Sequence, residues 1–180
     1  MDVELGLERA PQERSSLSDN VFVTSSGVQL SYRMVGNADA KRDLVFCNGL
    51  FTGMGGWAQQ VRFRPLAEQS RMILFDYRCQ GDSDAVTQPF GIIDVVQDAA
   101  ELLLYLGVER PVLLGHSFGG IVALGLAACY RPQLQARGLV LANVGNHLSA
   151  SALSVVQEVQ AALDRAGPGW TGSTTELQHV

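Results

Sequence analysis

Four short apolar runs punctuate the chain: Leu44-Val45-Phe46, Met72-Ile73-Leu74-Phe75, Pro111-Val112-Leu113-Leu114 and Leu139-Val140-Leu141-Ala142. Each is too short for a buried helix and lacks the polar alternation of a half-exposed strand, so it is read as a strand covered on both faces. Segments of helical period separate these runs. Residues 93 to 106 place Val95, Val96, Ala99, Leu102, Leu103 and Leu106 on one stripe, with Gln97, Asp98 and Glu101 assigned to the opposite face and Gly107 as the stop. A second small-residue helix is expected over Ile121 to Cys129. Strand and helix in alternation make βαβ units, hence a parallel sheet. Upstream, Val21 to Thr24 and Val28 to Val35 flank Ser25-Ser26-Gly27 as a β-hairpin. The expected fold class is therefore α/β, with about six strands in a mostly parallel sheet and helices on both faces.

Composition narrows the chemistry. The 180 residues are 47% hydrophobic and 17% charged, enough apolar material for one core and too much for disorder. Lys and Arg total 13 against 18 acidic residues and form no cluster, which argues against nucleic acid and against a polybasic membrane patch. Cys47, Cys79 and Cys129 lack any metal-ligand spacing and are read as reduced thiols; neither a metal nor a cofactor is expected. No apolar stretch approaches the roughly 18 residues of a membrane span, and residues 1 to 18 lack the apolar core of a secretory signal, so a cytoplasmic location is expected. Residues 1–18 are assigned to a flexible tail, 19–146 to the core, and 147–180 to the start of a lid, with a helix over about 150 to 166.

The sharpest local signal is Gly115-His116-Ser117-Phe118-Gly119-Gly120, between an apolar run and a helix of small residues. This G-x-S-x-G spacing in strand-to-helix context permits a strained turn, because a Cβ at position 115 or 119 would meet neighbouring backbone. Such a turn lifts the Ser117 hydroxyl clear of the sheet, beside helix N-H groups that favour developing negative charge.

Two further segments stand in register with it. Cys47-Asn48-Gly49-Leu50 follows the first apolar run, and Asp76-Tyr77-Arg78-Cys79-Gln80-Gly81-Asp82-Ser83 follows the second. In that order the three segments resemble the N-terminal part of an α/β-hydrolase-fold protein over about residues 20 to 145, although Asn48 stands where His is usual and Cys79 replaces the first glycine of a D-x-R-G-x-G-x-S turn. The resemblance implies a serine hydrolase acting on a small or medium acyl ester, lactone or C-C substrate. It makes Ser117 the nucleophile and the backbone N-H groups of Leu50 and Phe118 the oxyanion hole, with Gly115, His116 and Gly119 shaping the elbow. Phe51, Met54 and Trp57 follow the oxyanion loop and are candidates either for an acyl pocket or for core.

In the resembled family the acid and base follow the elbow in the order Ser, then Asp or Glu, then His. The catalytic acid and base are therefore expected to be missing here, in a chain that stops after about six strands. His147 is the candidate base nearest the strand ends; His116 is turned aside by the elbow, and His179 lies in a Gly/Ser/Thr-rich tail. Asp76 is assigned to organising its turn, Asp82 and Asp84 to solvated turn positions, and Asn143, at the end of the last apolar run, cannot carry the acid's charge. Two other functions stay open: a non-catalytic relative that binds a ligand or partner, and an acyltransferase, since Asn-Gly in the oxyanion loop is similar to the branch that makes hydroxyacyl lipids. An uncovered sixth strand would imply a homodimer or a partner.

Overall fold

The computed structural model describes residues 19–145. The tail at 1–18, the helix at about 150 to 166, His147 and His179 lie outside the described residues. Strands β1 (Asn20–Val23), β2 (Gln29–Gly36), β3 (Asp43–Cys47), β4 (Arg71–Phe75), β5 (Val112–His116) and β6 (Gly138–Ala142) form one sheet in the order β1-β2-β4-β3-β5-β6. β1, β2 and β4 pair antiparallel, and β4-β3-β5-β6 pair parallel. The helices are α1 (Ala58–Arg62), α2 (Arg64–Gln69), α3 (Ile92–Tyr105), α4 (Phe118–Cys129) and α5 (Arg131–Leu134), with a 3-10 turn at Met54–Trp57. This is the α/β class and strand number expected from the apolar runs.

The all-apolar runs bury both faces of the sheet, as strands with alternating side chains must when helices cover each side. Val45, Cys47, Ile73, Phe75 and Leu113 pack with Val95, Val96, Ala99, Leu103, Val122 and Leu126 of α3 and α4. Leu44, Phe46, Met72 and Leu74 turn the other way and pack against Met54, Trp57, Val61 and Leu66. Met54 is thus core rather than pocket wall.

Helix α3 starts where the Asp94 carboxylate accepts a hydrogen bond from the Gly91 amide at 2.7 Å. It ends at Gly107, whose φ of +62° lets its amide turn back to the Leu104 carbonyl at 3.1 Å. Its polar face differs from expectation. Asp98 is buried and receives two hydrogen bonds from Arg78, Nε to Oδ2 at 2.6 Å and Nη2 to Oδ1 at 2.7 Å. The spacing explains the correction, because position 98 lies three residues after Val95 and four before Leu102, inside the apolar stripe. Arg78 also sits 5.4 Å from the Phe90 ring centre, and attachment to Asp98 holds its guanidinium above its ordinary pKa. A second pair, Arg71 with Asp43 at 2.7 Å, joins the first residues of β4 and β3.

Residues 25 and 101 make a further tie. The Glu101 carboxylate accepts from the Ser25 amide at 2.7 Å and hydroxyl at 2.6 Å, linking the hairpin turn to α3. Burial raises the Glu101 pKa, and the hydrogen bonds from Ser25 and Gln97 outweigh it, leaving this carboxyl below its usual range.

All three cysteines are unpaired; Cys47 is buried, whereas Cys79 and Cys129 are exposed. Burial pushes the Cys47 thiol up to about 12, where almost no thiolate exists at neutral pH. Among the described residues no helix is long and apolar enough to cross a membrane.

Two outcomes are expected in solution. Arg78→Ala leaves Asp98 buried without its cation and lowers unfolding free energy by about 3–5 kcal/mol; a urea titration showing less than about 1 kcal/mol would mean that this ion pair does not support the fold. Ellman's reagent at pH 8 modifies Cys79 and Cys129 in the native chain and reaches Cys47 only after denaturant is added; fast native labelling of Cys47 would contradict its burial.

Candidate active site

β5 ends at His116 and α4 begins at Phe118, so the chain reverses from strand to helix at a single residue. Ser117 makes that reversal with φ 51° and ψ −120°, a conformation unfavourable for any residue bearing a Cβ. Two contacts hold it there: the Ser117 amide donates to the Ala142 carbonyl at 2.9 Å, and its own carbonyl accepts from the Gly120 amide at 2.9 Å. Its hydroxyl makes no capping bond to the helix, which leaves the oxygen unengaged by its own turn.

The flanking glycines have a measurable reason. A Cβ on Gly115 would come 2.5 Å from both the Gly119 carbonyl oxygen and the Gly120 Cα. A Cβ on Gly119 would collide with the carbonyls of Cys47 and Asn48 at the end of β3. The start of α4 therefore lies directly against the loop that leaves β3.

That loop runs through Asn48, Gly49, Leu50 and Phe51, with Phe51 at φ 61°. Among the described residues, neither the Leu50 amide nor the Phe118 amide has an acceptor. Leu50 and Phe118 line one small cavity of about 160 Å³, with Phe51, Tyr77, Cys79 and Phe90 among its walls. Leu50 and Phe118 thus border one concave site, and Phe118 directly follows Ser117.

A second cavity, about 340 Å³, is lined by Gly49, Thr52, Trp57, Gln60, His116 and Ala142. Phe51 and Trp57 consequently serve different cavities. Trp57 also packs on Phe46, ring centres 5.1 Å apart, and donates its indole N-H to Asn48 Oδ1 at 2.8 Å. His116 is exposed and its Nδ1 faces Gly49, 3.0 Å from where a Cβ would stand.

Asn48 is 1% exposed. Its amide nitrogen donates to the Phe75 carbonyl at 2.7 Å and to Asp76 Oδ1 at 3.3 Å, so its side chain is committed inside the fold rather than to the cavity. Asp76 itself accepts from the Met54 amide at 2.6 Å and the Asp82 amide at 3.1 Å. Burial raises its pKa, and these amide donors offset the rise only in part. Tyr77 donates to the Asn48 carbonyl at 3.3 Å, and its hydroxyl, also buried, is pushed well above its ordinary value.

Asp84 is less free than the sequence suggests. Asp84 accepts from the Gln29 amide at 2.9 Å and Ser83 from the Ser31 amide at 2.9 Å, pinning this turn to β2 rather than leaving it in solvent. Cys79 adopts φ 61°, in the left-handed region that favours glycine, while its Sγ accepts from the Val86 amide at 3.2 Å. Asn143 lies at the end of β6 with φ 53° and is exposed. Among the described residues no group of three His, Cys, Asp or Glu side chains converges as a metal site.

A family model described as "Alpha/beta hydrolase family" matches residues 44–177. The chain belongs to the α/β hydrolase family. It is 36% identical over 112 residues to proline iminopeptidase PfmaB of Pestalotiopsis fici, covering 61% of this chain and 39% of that protein. Among solved structures it is similar to a hydrolase from Pseudomonas aeruginosa PA01, with TM-score 0.68 and 30% identity over 82% of this chain and 54% of that one. It is also similar to Est816, described as an N-acyl homoserine lactone degrading enzyme, with TM-score 0.65 and 27% identity over 78% of this chain and 53% of that one. The chain thus spans about half the length of these solved relatives.

The contact between α4 and the β3 loop sets a test for this α/β hydrolase. Gly119→Ala places a methyl group against backbone carbonyls that no side-chain rotation can clear. It costs about 3 kcal/mol of stability by thermal or urea unfolding; an unchanged midpoint would mean that the helix start stands clear of the β3 carbonyls.

Proposed function

We propose that the protein containing this chain is a serine hydrolase that takes a small or medium acyl ester, lactone or C-C substrate through an acyl-enzyme on Ser117. The observation that carries the proposal is the strained Ser117 turn adjoining a cavity shared by Leu50 and Phe118, whose amides have no acceptor among the described residues. Membership of a hydrolase family and likeness to proteins described as a peptidase and a lactone-degrading enzyme support the same class.

The chemistry follows from these positions. Ser117 Oγ adds to the substrate carbonyl while a base removes its proton, and the carbonyl oxygen becomes an anion. The Leu50 and Phe118 amides then donate to that oxygen in a site partly shielded from water, where such bonds are strongest; each donor is worth roughly 3 kcal/mol of transition-state stabilisation. Collapse of the tetrahedral species expels the leaving group, which takes the proton back from the base, and leaves the acyl group on Ser117. Water, activated by the same base, releases it.

His147, the candidate base read from the sequence, lies outside the described residues. His116, which faces Gly49, is not assigned the base role. The Asn48 side chain is engaged by Phe75, Asp76 and Trp57.

A fluorophosphonate probe tests the proposal on the 180-residue chain. The expected product is a single covalent adduct on Ser117, absent from Ser117→Ala at unchanged circular dichroism. Absence of any adduct on the folded chain would mean that no base within these 180 residues activates Ser117, and would favour ligand binding without catalysis by this chain alone. The pH dependence of labelling identifies the base: if it is His147, His147→Ala slows labelling about 100-fold or more.

A further inference from the structure

One carboxylate holds both ends of the segment that carries Leu50. Asp76 Oδ1 accepts from the Asn48 side chain at 3.3 Å, two residues before Leu50, and from the Met54 amide at 2.6 Å, four residues after it. The other oxygen, Oδ2, accepts from the Asp82 amide at 3.1 Å. Through Asn48 the link extends to Trp57, whose indole donates to Asn48 Oδ1 at 2.8 Å. Within the pinned span the chain turns through the positive φ of Phe51.

The packing leaves this carboxylate no alternative partners. Asp76 is 2% exposed. A Cβ on Gly53 would lie 3.2 Å from Oδ1, and one on Gly81 would collide with Oδ2, so glycine backbone closes around the group from both loops. None of the described ion pairs includes Asp76. The titratable groups that face it are Asp82 on the following turn, Asp19 ahead of β1 and the adjacent Tyr77 hydroxyl. Neutral N-H donors, not a cation, hold the charge.

Resting on the reading of Leu50 as an oxyanion donor, we propose that Asp76 is a positioning residue for that donor: its carboxylate fixes the Asn48-to-Met54 span so that Leu50 keeps its place at the cavity shared with Phe118. The ionised form suits this role, because the three groups that hydrogen-bond to the carboxylate all donate. Protonation replaces one acceptor by an O-H that faces another N-H, and the pinning fails on that side. Burial moves this event upward in pH relative to an exposed aspartate. Leu50 makes no bond to Asp76 itself, so a response of its amide to Asp76 titration reports position and not direct contact.

The test is a pH titration of the full 180-residue chain, labelled with ¹⁵N and ¹³C, following the Asp76 carboxyl carbon, the Leu50, Met54 and Asp82 amides and the Trp57 indole N-H. The expected result is one shared midpoint, higher than that of an exposed aspartate, for all five signals. The Leu50 profile persists in Asp82→Asn and disappears in Asp76→Asn. A Leu50 amide that ignores the Asp76 midpoint while Met54 and Asp82 follow it overturns the proposal and leaves Asp76 as a turn anchor. The wild-type titration decides this even if Asp76→Asn does not fold. A second arm measures phosphonate labelling of Ser117, expected to fall at least about 10-fold in Asp76→Asn, below the full loss of one oxyanion donor. Equal labelling of wild type and folded variant also overturns the proposal. If wild-type Ser117 does not react at all, these 180 residues hold no base that activates it, and the Leu50 titration alone decides the role of Asp76.

Discussion

The contact on which the rest of the site depends is between two pieces of backbone. The first turn of α4 lies against the carbonyls of Cys47 and Asn48, an approach possible only because residue 119 has no side chain. Gly115 allows the same closeness on the strand side, against Gly119 and Gly120. Once α4 is seated there, the position of Ser117 relative to the β3 loop is set by covalent geometry and steric exclusion, which vary far less than a side-chain contact would. The unfavourable φ of Ser117 costs of order 1–3 kcal/mol, and the packed strands around it keep that conformation in place.

Two buried carboxylates then organise the loops above the sheet, by different physics. Asp98 is matched by a guanidinium in bidentate contact, so the pair carries no net charge into the core. Asp76 has only peptide and amide N-H donors. Dipoles stabilise an anion less than a cation does but impose more directional demands, since each donor must lie within hydrogen-bond reach of a defined oxygen. The first arrangement ties α3 to the turn after β4. The second draws two loops onto one point, near the residues that face substrate in the proposed chemistry.

The sheet is legible in the sequence because its strands are buried on both faces, and an unbroken apolar run of that length suits little besides a strand covered on each side. The elbow is legible for a related reason: glycines at 115 and 119 with a serine between them report a steric requirement directly. Polarity alone misplaces Asp98, although its spacing from Val95 and Leu102 puts it on the buried stripe; an arginine in the turn after β4 is the available signal that a carboxylate is needed inside. The tasks of Asn48 and Asp84 depend on partners 28 and 55 residues away, and nothing local to either residue names those partners. Phe51 and Trp57 line different cavities, with the 3-10 turn at Met54–Trp57 between them, a feature without a sequence pattern of its own.

The strand order has a consequence for how the chain is made. Leu44 of β3 pairs with Met72 on one side and with Val112 on the other. During synthesis β1 to β4 are complete first, and one flank of β3 waits for β5, about 40 residues later, which at ribosomal rates is an interval of about 2–8 s. An apolar strand with a free hydrogen-bonding edge is the kind of surface that recruits other chains. For this protein the centre of the sheet is therefore open to misassembly in the interval before the elbow emerges, and the strand leading into Ser117 closes it.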